Sequence, residues 1–235
     1  MLDDPDWEVG GADLVWRAGV YYLHVTQTRD VAAEHESEGG TLGVDLGIVN
    51  LATDSEGEHC TGAMVHSART RYQLRRQRLP QVGTRSAKRR LRQRSRREAR
   101  FQKDVNHSIS TKLVAKAAVS RTASALDNLS GIRDRVTVRR EHRYERHSWA
   151  FFQLRQDSAY KAAQVGVPVY RVDPRHTSRT CSVCGHCEKA NRKSQAIFLC
   201  QRCGFTLHAD RNAAINISRQ QWAAVNRPLA SPLAG

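Results

Sequence analysis

The chain holds 235 residues, with 38 Lys and Arg against 23 Asp and Glu, a formal net charge of +15 and 40% hydrophobic residues. One or two domains of this length bury roughly 70–75% of the unfolded surface without help from disulfides, and the composition excludes collagenous and plainly disordered chains. With a mean hydropathy of -0.60, no apolar run near the ~18–20 residues of a membrane span and an acidic Met1–Asp6 start unlike a signal peptide, we expect a cytoplasmic protein with no membrane association and a polyanionic partner, nucleic acid first.

The charge is unevenly spread. Residues 1–65 carry 13 acids against two Arg, a net of -11; residues 66–104 carry a net of +13, and residues 105–235 another +13. In chain order, residues 14–30 are rich in Val, Tyr and Leu and read as strand, with Gly10-Gly11 and Gly19 as turn signals. Thr41 to Gly47 reads as a short buried strand, Ile48 to Thr53 continues as strand, and Ser55-Glu56-Gly57-Glu58 marks a hairpin turn. Residues 69–79 form a helix pattern ended by Pro80 and Gly83. From Ser86 there is no Gly or Pro until Gly131, and Phe101, Val105, Ile109, Leu113 and Ala117 recur every four residues. This predicts one or two long helices, with a break near Asp104–Asn106. Thr122 to Leu126 is the next strand. Ser148 to Gln164 is a helix with Trp149, Phe152, Leu154, Tyr160 and Ala163 as its apolar face, and Val167 to Val172 is a strand. Asp210 opens a last helix with Ala213, Ala214 and Ile217 facing inward, and residues 221–235 form a flexible tail.

The basic stretch gathers Arg75, Arg76, Arg78, Lys88, Arg89, Arg90, Arg92, Arg94, Arg96, Arg97 and Arg100 on the predicted helices. Such density suits an electrostatic grip on a phosphate backbone, although a solvated helix face has the same composition.

Cys181-x2-Cys184 and Cys200-x2-Cys203 stand 15 residues apart. Two such knuckles supply the four thiolates of a tetrahedral, structural Zn2+ site. Gly185 and Gly204 directly follow the second cysteine of each pair, as tight turns require. Disulfides are the competing explanation and suit an intracellular chain poorly. Cys60 and Cys187 are expected to be free. Asp45 interrupts an otherwise apolar strand, Asp127 ends a strand and Asp210 starts a helix. Each alone suits capping; together they are what divalent cations need in phosphodiester cleavage.

Four segments carry a resemblance. Gly43-Val44-Asp45-Leu46-Gly47, Leu126-Asp127-Asn128-Leu129-Ser130-Gly131-Ile132-Arg133, the approach to the cysteines from Thr177 to Gly185, and His208-Ala209-Asp210-Arg211-Asn212-Ala213-Ala214-Ile215-Asn216-Ile217 resemble, in order and spacing, the transposon-associated OrfB/TnpB proteins. These are transposase-family, RNA-guided DNA nucleases. The resemblance implies an α/β, RNase H-like (RuvC) core over 41–176 and 207–220, with a basic helical insertion at 67–121 and an inserted zinc ribbon at 177–206. It implies Asp45, Asp127 and Asp210 as acids binding catalytic Mg2+ or Mn2+, in-line attack of water on DNA, and basic helices lining a channel for a guide–target heteroduplex. DNA and a transposon-encoded guide RNA would be the partners. Two departures accompany it. The family's second acid is usually Glu, and Asp127 is shorter by one methylene, which withdraws its carboxyl by ~1.3–1.5 Å. Only about 40 residues precede Gly43, so residues 1–40 are expected to be the remnant of a wedge-like β domain in an N-terminally truncated copy. The alternatives are therefore a metal-dependent endonuclease, a nucleic-acid-binding relic that does not cleave, or a zinc-stapled interaction module.

Overall fold

The computed structural model describes residues 5, 7–17, 19–30, 40–78, 84–128 and 151–223, without the side chains of residues 69, 75–78 and 221–223. It divides into two compact units, Met1–Ala33 and Glu34–Gly235.

The first unit is a hairpin of two antiparallel strands, β1 (Glu8–Arg17) and β2 (Val20–Thr28). The strand pattern over 14–30 reverses at Gly19, the expected turn signal, whose φ of 89° needs the freedom of glycine. Gly10-Gly11 is not a turn: it lies inside β1, where the register shifts between Val9 and Ala12 as a bulge.

The second unit is built on a five-stranded sheet in the order β5-β4-β3-β6-β7. Its strands are β3 (Thr41–Asp45), β4 (Asn50–Asp54), β5 (His59–Thr61), β6 (Ala123–Asp127) and β7 (Val169–Val172). β3, β4 and β5 run antiparallel; β3, β6 and β7 run parallel. β4 does not continue β3, because the chain reverses between them. Gly57, with φ of 102°, makes the expected turn into β5.

Among the described residues, four α-helices accompany this sheet: α1 (Ala63–Arg78), α2 (Arg85–Val119), α3 (Phe151–Gln164) and α4 (Ala209–Ala223). α1 begins six residues before the sequence pattern, on buried Val65 and Ala68. α2 is one helix of 35 residues, without a break at 104–106. Thr84 caps it, its hydroxyl accepting from the Ala87 amide at 3.2 Å. The four-residue track of α2 is its inner face: Ile109, Leu113 and Ala117 are buried, and Phe101 and Val105 pack against them. α3 differs from expectation. Phe152 is 62% exposed, while Leu154, Arg155, Ser158, Lys161 and Ala162 are buried. Lys161 can turn inward because its ammonium donates to the His107 carbonyl (2.6 Å) and to the Ser110 and Thr111 hydroxyls (2.7 Å each) on α2. Trp149 and the predicted helix start at 148–150 lie outside the described residues.

Strand alternation divides the sheet into two faces. Leu42, Val44 and Leu126 join α2 and α3 in the main core. Ala125 and Val172 join Ile217 of α4 on the opposite face. α4 reaches the sheet because residue 43 is glycine. A Cβ there would stand 2.1 Å from the Ala214 carbonyl oxygen and 2.5 Å from the Ser218 amide nitrogen, both backbone atoms. Gly43→Ala is expected to cost about 3 kcal/mol through overpacking, a fall of about 6–12 °C in Tm for a chain of this size. Thermal unfolding followed by circular dichroism checks this, and an unchanged Tm would contradict it.

Candidate functional site: carboxylates and thiolates around one helix

Asp45 and Asp127 are brought together by strand register. β3 pairs β6 in parallel, with Val44 opposite Leu126, so the next residues, Asp45 and Asp127, end adjacent strands side by side. Each lies two residues beyond Gly43 or Ala125 and therefore shares the α4 face. The two carboxyls are near enough for each to shift the titration of the other. Asp127 is buried and Asp45 half-buried. α4 contributes Asp210, buried in its first turn, where a negative charge suits the helix N-terminus.

The electrostatics are those of crowded acids. Burial, then the charge of Asp210, push Asp45 up to about 7, against the opposing effect of Asp127. Burial and the neighbouring Asp45 push Asp127 well above the usual carboxylate range. Asp127 Oδ1 is buried without any hydrogen-bond partner. A hard divalent cation fits this donor set: it supplies the missing partner and offsets the repulsion. The three carboxylates do not all come within 4.8 Å of one another; among the described residues only the four cysteines form such a group. Two cations would suit this wider spacing better than one.

Asp210 holds two partners that the motifs do not reveal. Asn50 Nδ2 donates to its Oδ2 at 3.0 Å, and Arg192 Nη2 approaches its Oδ1 at 3.4 Å. In the sequence Arg192 is one basic residue among several between the cysteine pairs. Its separation from Asp210 along the chain conceals the pairing.

The thiols converge as expected. Cys181, Cys184, Cys200 and Cys203 place their Sγ atoms within 4.8 Å of one another. Cys181–Cys203 is 3.7 Å and Cys184–Cys200 is 3.5 Å, near the ~3.8 Å between sulfurs of a tetrahedral zinc site with Zn–S bonds of ~2.3 Å. The two knuckles repeat one geometry. The Gly185 amide donates to the Cys181 carbonyl (2.9 Å), the Gly204 amide to the Cys200 carbonyl (3.0 Å), and both glycines have φ near 70°. Burial opposes ionisation of Cys200, but the Cys203 and Arg202 amides and the Cys184 and Cys203 thiols bring it down to about 6. The Phe205 amide favours the Cys203 thiolate, yet burial and its thiol neighbours push Cys203 up to about 12. Four thiolates together therefore need a cation. Cys60 and Cys187 stand outside the cluster.

The cysteine segment is tied to α4. Asn212 accepts from the Ser182 amide (3.1 Å) and donates to the Thr180 carbonyl (2.8 Å). Asn216 donates to the Thr177 and Thr180 carbonyls (2.8 and 2.7 Å). The cations of α2 lie apart from both clusters. Lys88, Arg89, Arg90, Arg92, Arg96, Arg97 and Arg100 are exposed and Arg94 is half-buried. Arg75, Arg76 and Arg78 fall on α1, but their side chains lie outside the described residues, as does the second motif beyond Asn128.

A carboxyl whose folded pKa lies above its unfolded value binds more protons in the folded state, so stability falls as pH rises between the two values. Zinc-loaded protein in buffer free of Mg2+ and Mn2+ should thus lose Tm from about pH 5 to pH 8, and added Mg2+ should restore it. Asp127→Asn should raise the Tm of the magnesium-free protein at pH 8, since it removes one of the two crowded charges. Scanning calorimetry decides; a Tm that rises over this range contradicts the crowding.

A family model for the Cas12f1-like TNB domain matches residues 151–217. The chain is 32% identical over 219 residues to the CRISPR-associated endodeoxyribonuclease Cas12f2 of a Micrarchaeota archaeon, covering 85% of this chain and 40% of that protein. It is 28% identical over 216 residues to the putative RNA-guided DNA endonuclease InsQ of Escherichia coli K12, covering 85% and 53%. It is 30% identical over 125 residues to the TnpB-like protein MJ0751 of Methanocaldococcus jannaschii, covering 53% and 44%. The chain thus spans about half or less of the length of these curated relatives. A cryo-EM structure of a Cas12f1–sgRNA–target DNA complex shares the fold, with a TM-score of 0.62 at 18% identity, over 92% of this chain and 56% of that one. Among the described residues, no helix is long and apolar enough to cross a membrane. The ordered motifs, the shared fold and these relatives together place the chain in the TnpB/OrfB family.

Proposed function

We propose that residues 41–176 and 207–220 form an RNase H-like (RuvC) nuclease core, that residues 177–206 form a zinc ribbon, and that the chain cleaves DNA with Mg2+ or Mn2+ at Asp45, Asp127 and Asp210. The observation that carries this reading is Asp127 Oδ1, buried and unpartnered beside a second carboxyl. Bound there, divalent cations supply activation of water and stabilisation of the leaving oxygen in phosphodiester hydrolysis. The chain's own groups do the remainder. Asp45 and Asp127 offer their oxygens from the rigid ends of paired strands, and Asp210 offers its own from the first turn of α4. Arg192 carries a fixed positive charge into the cluster, suited to the non-bridging oxygens of a phosphate. The exposed cations of α2 hold nucleic-acid backbone, DNA and guide RNA alike, while base pairing supplies sequence choice.

One observation favours a second reading, a nucleic-acid binder that does not cleave. Asp127 is shorter than the family's usual Glu, and catalytic geometry is sensitive at ~1 Å. The two readings separate in one assay on the full chain. With Mn2+, nuclease action on labelled DNA should fall at least about 100-fold in Asp45→Ala and Asp210→Ala, with binding retained. Binding without cleavage in the wild type selects the second reading, and cleavage that survives both substitutions refutes the first. Replacing Arg96, Arg97 and Arg100 by Ala should flatten the salt dependence of binding by roughly 0.7–0.9 for each phosphate no longer neutralised.

Elemental analysis tests the ribbon separately. We expect one zinc per chain, lost in Cys200→Ser and kept in Cys60→Ser and Cys187→Ser; zinc loss in Cys187→Ser would reassign the ligands.

A further inference from the structure

Asn50 touches the carboxylate site without being one of its acids. It is the first residue of β4, half-buried, and 160 positions from the residue it touches. Its Nδ2 donates to Asp210 Oδ2 at 3.0 Å. The orientation follows from chemistry, because an ionised carboxylate only accepts and the amide nitrogen must face it.

The backbone around Asn50 is built to hold this reach. The chain turns from β3 into β4 so tightly that a Cβ at Gly47 would stand 2.7 Å from the Asn50 carbonyl oxygen. From the other side, Gly62 packs against the same turn. Its amide donates to the Val49 carbonyl at 2.7 Å, and a Cβ there would stand 2.6 Å from the Ile48 oxygen and 2.8 Å from the Val49 oxygen. Register then pairs Asn50 with Thr61 on β5. Asp210 is fixed from its own side, since the preceding Ala209 amide donates to the Ala196 carbonyl at 2.8 Å.

We propose that Asn50 is a positioning residue: its carboxamide sets the orientation of the Asp210 carboxylate for the divalent cation. The inference rests on the cation-site reading above. An amide is suited to the task because it donates without adding charge to a cluster already crowded with carboxyls. With Oδ2 held by Asn50, Oδ1 is the oxygen turned to Arg192, and it is the one that exchanges the arginine for a cation. The bond spans the sheet and α4, so it also ties the helix that bears Asp210 to the first residue of β4.

The test is Mn2+ binding to the zinc-loaded full chain, followed by electron paramagnetic resonance, for the wild type, Asp210→Ala, Asn50→Ala and Asn50→Leu. Leucine fills nearly the same volume without a donor, so an effect shared by both Asn50 variants reports the missing hydrogen bond rather than a cavity. Outer partners of metal ligands are worth about 10–100-fold in metal affinity. We expect a weakening of that size in both variants, with zinc content and Tm near wild-type values, and no binding at this site in Asp210→Ala. Mn2+ affinity within twofold of wild type in either folded Asn50 variant overturns the inference while leaving the cation site intact. A wild type that binds no Mn2+, or binds it equally after Asp210→Ala, overturns the cation-site reading and the role of Asn50 together.

Discussion

Two carboxyl groups set side by side at the ends of paired strands, one of them buried, are the constraint on which the site depends. Parallel pairing of β3 with β6 puts Asp45 beside Asp127, and strand alternation turns both to the face that α4 covers. Water cannot solvate the buried member. The pair must hold protons or meet positive charge, and the raised values of both groups express that conflict. α4 lies close enough to add Asp210 because Gly43 has no side chain and Ala213, Ala214 and Ile217 seal the contact at zero exposure. A site of this kind costs stability in the folded chain and is retained where function demands it.

α4 also carries the cysteine segment. Asn212 and Asn216, both buried on the helix, take the backbone groups of 177–182 that a short, coreless segment cannot pair internally. Phe198, Cys181, Cys200 and Ala209 form a small cluster of their own, too small to hold the whole segment by burial, so a metal at the four thiols would add to the segment's folding free energy. The same segment delivers Arg192 to Asp210. One helix thus joins the thiolate cluster to the carboxylate cluster, and a change in either reaches the other through hydrogen bonds rather than through a flexible tether.

Much of this is legible in the sequence, for definite reasons. CxxC pairs followed by glycine define a local geometry, and the four thiols meet as their spacing implies. The buried strands at 41–47 and 122–126 and the inward face of 213–217 follow from local patterning and stand within a residue or two of expectation. What escapes the sequence is non-local. The hairpin's first strand begins at Glu8, ahead of the pattern read from residue 14, because both its strands are exposed, with Leu14, Trp16, Tyr21 and Leu23 all more than 60% exposed, and no alternation carries the strand through Gly10-Gly11. The inner face of α3 differs from its apolar pattern because Lys161 and Arg155 are buried through hydrogen bonds to α2 and to Asn128. Asn106 suggests a break in α2, yet it is buried within the helix, and its amide donates to Gln153 at 3.4 Å. Asn50 and Arg192 lie outside every motif, since their meaning depends on a residue far along the chain.

The central claim is that Asp45, Asp127 and Asp210 together hold divalent cations. Anomalous diffraction from crystals grown with zinc and soaked in Mn2+ tests it most directly, because data collected at the two metal edges distinguish the sites. The account predicts a zinc peak among Cys181, Cys184, Cys200 and Cys203 and manganese peaks in contact with all three aspartates, with Arg192 displaced from Asp210. Manganese absent from the aspartates at saturating concentration, or bound there with Arg192 still paired to Asp210, would contradict it.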